Sequence, residues 1–222
     1  MSVLEVRVWD GFVRLFHWSL VIAFFVAYFT EPEDATLSVH VWAGYFVGGL
    51  IVLRVIWGFI GSRHARFSDF AFGPFRALAY LGNLVRGRSK RHLGHSPAGA
   101  WMVYLLLAAL TATVLTGLVT LATEENQGPL APFFGGTSAS AMAEHRDGDD
   151  DEDRARPAPA SATGEHRESS MEELHEILAN IVLVLVALHI AGVIVASVAH
   201  RENLVRAMIT GDKRADEVRA ES

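Results

Sequence analysis

The sequence predicts an all-α integral membrane protein, a four-transmembrane-helix bundle with both termini cytoplasmic. Three observations predict it. The 222 residues are 51% hydrophobic and only 20% charged. The uncharged positions come in long runs: sixteen residues between Arg14 and Glu31, nineteen between Asp34 and Arg54, thirty-two between Arg91 and Glu124, twenty-four between Glu176 and Arg201. A hydrocarbon core about 30 Å thick needs about 20 apolar helical residues. Finally, Lys and Arg crowd alternate connections. These features exclude an ordinary soluble enzyme and a nucleic-acid-binding protein. Cysteine is absent, which excludes disulfides, thiolate metal sites, cysteine-ligated iron–sulfur clusters and covalent haem attachment. A metal here must be held by nitrogen or oxygen, and there are ten histidines.

The first span runs from about Val13 to Thr30, with Asp10 placed to cap it. Its recurrent aromatics and the lack of a small-residue cleavage site argue against a signal peptide. The second runs from about Leu37 to Ile60. The short link Glu31 to Thr36 makes these two antiparallel neighbours. The third starts at Pro97, a suitable first helical residue, and ends near Ala122. The fourth runs from about Met171 to Ala199. The chain is read as a single membrane domain over 1–222.

Orientation follows from flanking Lys and Arg. The second connection carries Arg63, Arg66, Arg76, Arg86, Arg88, Lys90 and Arg91, the N-terminal flank Arg7 and Arg14, and the tail Arg201, Arg206, Lys213, Arg214 and Arg219. The first connection has no basic residue, and in the third acids outnumber bases. This puts both termini and the second connection on the cytoplasmic side, and makes residues 124–170 an external acidic loop. Residues 124–173 hold thirteen Asp/Glu against four Lys/Arg. Within 137–170, Ala, Ser, Gly, Pro and charge predominate, so disorder is the expected state.

Ionisable residues within membrane spans are costly and mark function. His17, His40, His175 and His189 fall in or at the ends of the apolar segments. His175 and His189 are fourteen residues apart, roughly 21 Å along a helix and within about 40° of one face. With alternating helix directions, His175 lies at the depth of His40 and His189 at that of His17. Two facing imidazoles at each of two depths make the axial geometry for haem iron, and haem b needs no cysteine. Iron with both axial positions filled passes electrons and lacks an open site for oxygen. Gly44 and Gly48 follow His40 on its own face, and Gly192 follows His189, leaving room for a flat macrocycle or for close helix packing.

These residues are set in familiar surroundings. Val8-Trp9-Asp10 with Arg14-Leu15-Phe16-His17-Trp18, His40-Val41-Trp42-Ala43-Gly44-Tyr45 and Arg54-Val55-Ile56-Trp57-Gly58 resemble the bacterial cytochrome b561 family, including the b-type cytochrome subunits of nickel–iron hydrogenases. Gly94-His95-Ser96-Pro97-Ala98-Gly99-Ala100, Leu174-His175-Glu176, Leu188-His189-Ile190 and the closing His200 to Met208 segment resemble it as well. The resemblance covers the chain except the acidic insert. It implies a four-helix membrane protein with two haems b, ligated by His17, His40, His175 and His189. It also implies placement in the bacterial inner (cytoplasmic) membrane as a multi-pass protein.

Arg54 lies fourteen residues past His40, on nearly the same face. It is expected either to bind a haem propionate or to snorkel to the surface. Trp18, Trp42, Tyr45 and Trp57 are placed to line haem edges or to sit at the membrane interface. His64, His92, His95 and His200 are expected at the surface, with His95 or His200 as candidate proton relays. The tail from Asn203 to Ile209 is expected on the membrane surface.

Three functions compete. The first is electron transfer between an outer-side or membrane partner, such as a basic c-type cytochrome or a hydrogenase or dehydrogenase subunit, and ubiquinone or menaquinone. The second is a self-sufficient superoxide:ubiquinone oxidoreductase. The third is a metal-ion transporter, disfavoured because paired buried ligands release ions poorly. The thirteen acids of residues 124–173 would repel superoxide and attract a basic partner, which favours the first.

Overall fold

The computed structural model describes residues 5–30, 36–135 and 162–214. Seven α-helices are present among them. They are α1 (Gly11–Phe29), α2 (Leu37–Ile60), α3 (Pro74–Val85), α4 (Pro97–Glu124), α5 (Ala131–Phe134), α6 (Ala162–Ala199) and α7 (Leu204–Thr210). Four of these are long and apolar enough to cross a membrane: α1, α2, α4 and the Ser170–Ala199 part of α6. They fall where the uncharged runs place them. Asp10 caps α1, its Oδ1 accepting the Val13 N–H at 2.8 Å. Pro97 opens α4.

The chain divides into two compact units, one of Met1–Ala109 with Val182–Ser222, the other of Leu110–Ile181. In the first unit α1 and α2 pack antiparallel. His40 at the start of α2 meets the end of α1, where its Nδ1 lies 2.9 Å from the Ala27 carbonyl oxygen. Trp57 near the end of α2 meets the start of α1, donating to Asp10 at 3.1 Å. Ser62 donates to the same Asp10 oxygen. Burial acts to raise the Asp10 pKa, but hydrogen bonds from Ser62, the Val13 N–H and Trp57 outweigh it and hold the carboxyl below its usual value.

The all-α expectation holds except for one small clasp. Strands β1 (Glu5–Arg7) and β2 (Asp212–Arg214) pair antiparallel, with Val6 opposite Lys213. Gly211, just before β2, has φ of +90°, and its carbonyl accepts the N–H groups of Val8 and Trp9 at 2.9 and 3.1 Å. A Cβ here would press on the Trp9 carbonyl oxygen, so glycine fits both the left-handed backbone and the close approach. Arg14 Nη1 reaches the Ile209 and Thr210 carbonyls at 2.7 and 3.0 Å. Val8, Trp9, Val13, Ala65 and Ala207 form the apolar cluster beneath the clasp. Three-residue strands carry no readable periodicity. They form here because the two chain ends meet.

The second connection, read from sequence only as a basic flank, is structured. It contains two 3-10 turns, Arg63–Ala65 and Phe67–Phe70, and then α3. Ala77, Tyr80 and Leu84, at i, i+3 and i+7, bury one face of α3, while Phe75, Leu78 and Val85 stay exposed. The expected surface tail is the short helix α7, capped by Asn203, which accepts the Arg206 N–H at 2.8 Å.

The backbone of α6 is helical from Ala162. Ala162, Glu165, Arg167 and Glu168 are good helix formers, and extending an existing span avoids a new nucleation step. The acidic run Asp149 to Asp153 lies outside the described residues.

Candidate functional site

α1 and α6 bring His17 and His189 face to face within the first unit. Their ring centroids are 6.3 Å apart, with the planes inclined by 51°. A metal–imidazole bond is about 2 Å and a ring centroid lies about 1 Å behind its nitrogen, so two imidazoles on opposite sides of one metal have centroids roughly 6 Å apart. The observed 6.3 Å spacing leaves room for one metal atom between the two rings. His17 Nδ1 is buried and has no hydrogen-bond partner among the described residues.

His40, in the same unit, is oriented by backbone. Its Nδ1 lies 2.9 Å from the Ala27 carbonyl oxygen and 3.1 Å from that of Thr30. A carbonyl only accepts, so Nδ1 carries the proton and Nε2 carries the lone pair a metal needs. This is the second-partner arrangement seen for ligating histidines in general.

His175 shows the same arrangement in the second unit. Its Nδ1 donates to the Thr113 carbonyl at 2.9 Å and lies 3.2 Å from Thr116 Oγ1. Gly117 flanks the ring: a Cβ there would come within 2.8 Å of His175 Cε1. Neither Thr113, Thr116 nor Gly117 was singled out from sequence. The available signal was the stripe Thr113, Thr116, Gly117 and Thr120 at i, i+3, i+4 and i+7 in α4.

Arg54 does not snorkel. It is 3% exposed, lies over the Phe67 ring at 5.1 Å, and leaves Nη1 buried without a partner among the described residues. A buried cation in a membrane span calls for an anion. Gly58, one turn further along α2, lets Phe67 approach: a Cβ there would strike the Phe67 ring. The glycines singled out for space behave differently. At Gly44 and Gly192 a Cβ would meet nothing within 4 Å, so packing does not require glycine there and the adjacent space is open. Gly48 lies half-buried in α2. Trp42 is exposed, as an interfacial residue would be, whereas Trp57 is tied to Asp10.

His95 is the main departure from the expected surface histidines. Its ring lies 4.2 Å from that of Phe70 and meets Trp9 edge-on at 4.8 Å. Its Nδ1 is buried without a partner among the described residues. Burial, and after it the charge of Arg54, pushes its pKa down to about 3, leaving a neutral imidazole at physiological pH. His200 is engaged by Tyr80, whose hydroxyl lies 3.2 Å from Nε2. His64 contacts Asp69 at 3.0 Å. Beside the clasp, Arg91 grips Glu202 with Nε and Nη2.

The family model for prokaryotic cytochrome b561 matches residues 8–211. The chain belongs to the prokaryotic cytochrome b561 family. It is therefore a b-type cytochrome, a haem-carrying electron-transport protein that crosses the membrane several times. The cytochrome is also similar to a probable Ni/Fe-hydrogenase B-type cytochrome subunit of Rhizobium leguminosarum bv. viciae, with 27% identity over 128 residues. That alignment covers 46% of this chain and 53% of the relative, so the cytochrome matches about half of the relative's length. No solved structure matches it.

Proposed function

We propose that this cytochrome carries two haems b and passes electrons between a partner at the outer membrane face and the quinone pool. His17 and His189 hold one haem, His40 and His175 the other. The 6.3 Å opposition of His17 and His189 carries the reading. The sequence spacing of the four histidines along their spans and the Nδ1 bonds of His40 and His175 support it. Haem iron with two imidazole ligands supplies one-electron transfer without an open coordination site. The backbone carbonyls of Ala27 and Thr113 keep the ligand rings in the tautomer that presents Nε2. Arg54 offers positive charge to a haem propionate, and the open space beside Gly44, with Gly48 on the same face of α2, accommodates the macrocycle.

The hydrogenase subunit among its relatives supports a hydrogenase or related dehydrogenase as electron donor in the inner membrane. The Lys and Arg of the terminal flanks and of the second connection support cytoplasmic termini. The acidic loop suits a basic partner such as a c-type cytochrome, and ubiquinone or menaquinone is the acceptor. Direct oxidation of superoxide is the competing activity, disfavoured by the same acids. A pyridine haemochrome assay on purified protein tests the core of the proposal. Two non-covalent haems b per chain with a low-spin spectrum are expected, and one haem per chain overturns it. Reduction by superoxide in the absence of any protein partner would replace the partner-dependent reading with the oxidoreductase one.

A further inference from the structure

Among the described residues, five buried side-chain nitrogen or oxygen atoms make no hydrogen bond, and four are nitrogens of the first unit: Arg14 Nε, His17 Nδ1, Arg54 Nη1 and His95 Nδ1. Arg14 is otherwise satisfied by two carbonyls, and His17 is assigned to a haem. Arg54 and His95 have no such account. Both are held by one aromatic cluster. The Arg54 guanidinium lies over Phe67 at 5.1 Å, the Phe67 ring is 5.8 Å from Phe70, and Phe70 is 4.2 Å from His95. Trp9 fixes the His95 ring from another side. The imidazole therefore has little freedom to turn Nδ1 toward water. A buried guanidinium nitrogen and a buried imidazole nitrogen without partners among the described residues are unfavourable until one arrives. The shared chemistry of the missing partner is anionic and oxygen-bearing. A haem b brings two carboxylates as its only charged peripheral groups, and His95, Arg54, His17 and His189 all belong to the first unit.

We infer that His95 and Arg54 together hold a carboxylate of the haem carried by His17 and His189, His95 donating through Nδ1–H and Arg54 through Nη1. The inference rests on the two-haem reading. His95 is then a positioning residue, set by the loop before α4 and by the aromatic cluster rather than by a membrane span. A guanidinium and an imidazole N–H suit a carboxylate, since both only donate to it.

The test uses the full chain with His175→Ala, which retains only the His17–His189 haem. Resonance Raman reads the propionate bending band, and reconstitution compares haem b with its dimethyl ester, which has no carboxylate. His95→Phe keeps a ring against Phe70 and Trp9 but removes the donor; His95→Gln keeps an N–H. The band should shift in His95→Phe and return toward its original position in His95→Gln. Haem b should bind at least tenfold more weakly to His95→Phe, while the dimethyl ester binds both chains alike. An unshifted band with equal haem b affinity overturns the inference. Should His95→Phe fail to assemble, equal affinity of the His175→Ala chain for haem b and its ester overturns the inference. Loss of low-spin haem from the His175→Ala chain itself would instead refute the two-haem reading.

Discussion

His17 and His189, from the first and last membrane-spanning helices, stand with ring centroids 6.3 Å apart. Their spacing leaves room for one metal atom between them. His17→Ala and His189→Ala should therefore remove the same haem, and His40→Ala and His175→Ala the other. The double variant of either pair should look like its single variants, because one missing ligand already leaves the iron half-held. Redox titration followed optically checks this. Loss of the same haem in His17→Ala and His40→Ala would refute the pairing.

Gly117 gives a variant that touches no ligand atom. A Cβ there intrudes on His175 at 2.8 Å, and a β-branched side chain cannot retract from the ring. Gly117→Val should displace His175, so that haem content falls from two per chain toward one while the His17–His189 haem keeps its spectrum. Full haem content in Gly117→Val would show that the ring has room to yield.

Acid should loosen the Arg91–Glu202 pair. The Arg91 Nε and Nη2 donate to the Glu202 carboxylate at 3.0 and 2.7 Å, and both side chains are buried. Burial acts to raise the Glu202 pKa, but Arg91, Lys213 and the Arg214 N–H outweigh it, so the folded value is lowered. The unfolded chain then takes up its proton first as pH falls. The stabilisation is whole above the ordinary Glu value of about 4.3 and is lost as pH falls through the folded value. Glu202→Gln leaves Arg91 without its anion and should cost about 3 kcal/mol at neutral pH. Thermal unfolding at neutral and acid pH should show that loss at neutral pH, together with a shallower decline toward acid than the parent chain.

Charge steering by the acidic loop predicts a salt effect. Replacing Asp149, Asp150, Asp151, Glu152 and Asp153 with their amides should slow reduction by a cationic c-type cytochrome several-fold at low ionic strength. The difference should vanish as the Debye length falls below about 8 Å. Stopped-flow rates across a salt series measure this, and an unchanged salt slope removes the docking role.

The positions of the four spans and their histidines were legible in the sequence. The cost of placing a charge in hydrocarbon is carried by each residue on its own, so uncharged runs mark the spans and a histidine inside one stands out. The cap at Asp10 and the Pro97 start were legible for the same local reason. Only the tertiary structure decided the rest. His95 reads as a surface histidine until Trp9 and Phe70 close around it. Arg54 reads equally as a snorkelling side chain until Phe67, admitted by Gly58, covers it. The clasp of β1 and β2, the Arg91–Glu202 grip and the support of His175 by Thr113 join residues far apart in the chain. Such contacts depend on which surfaces meet after folding, and no local pattern of hydropathy or charge records them.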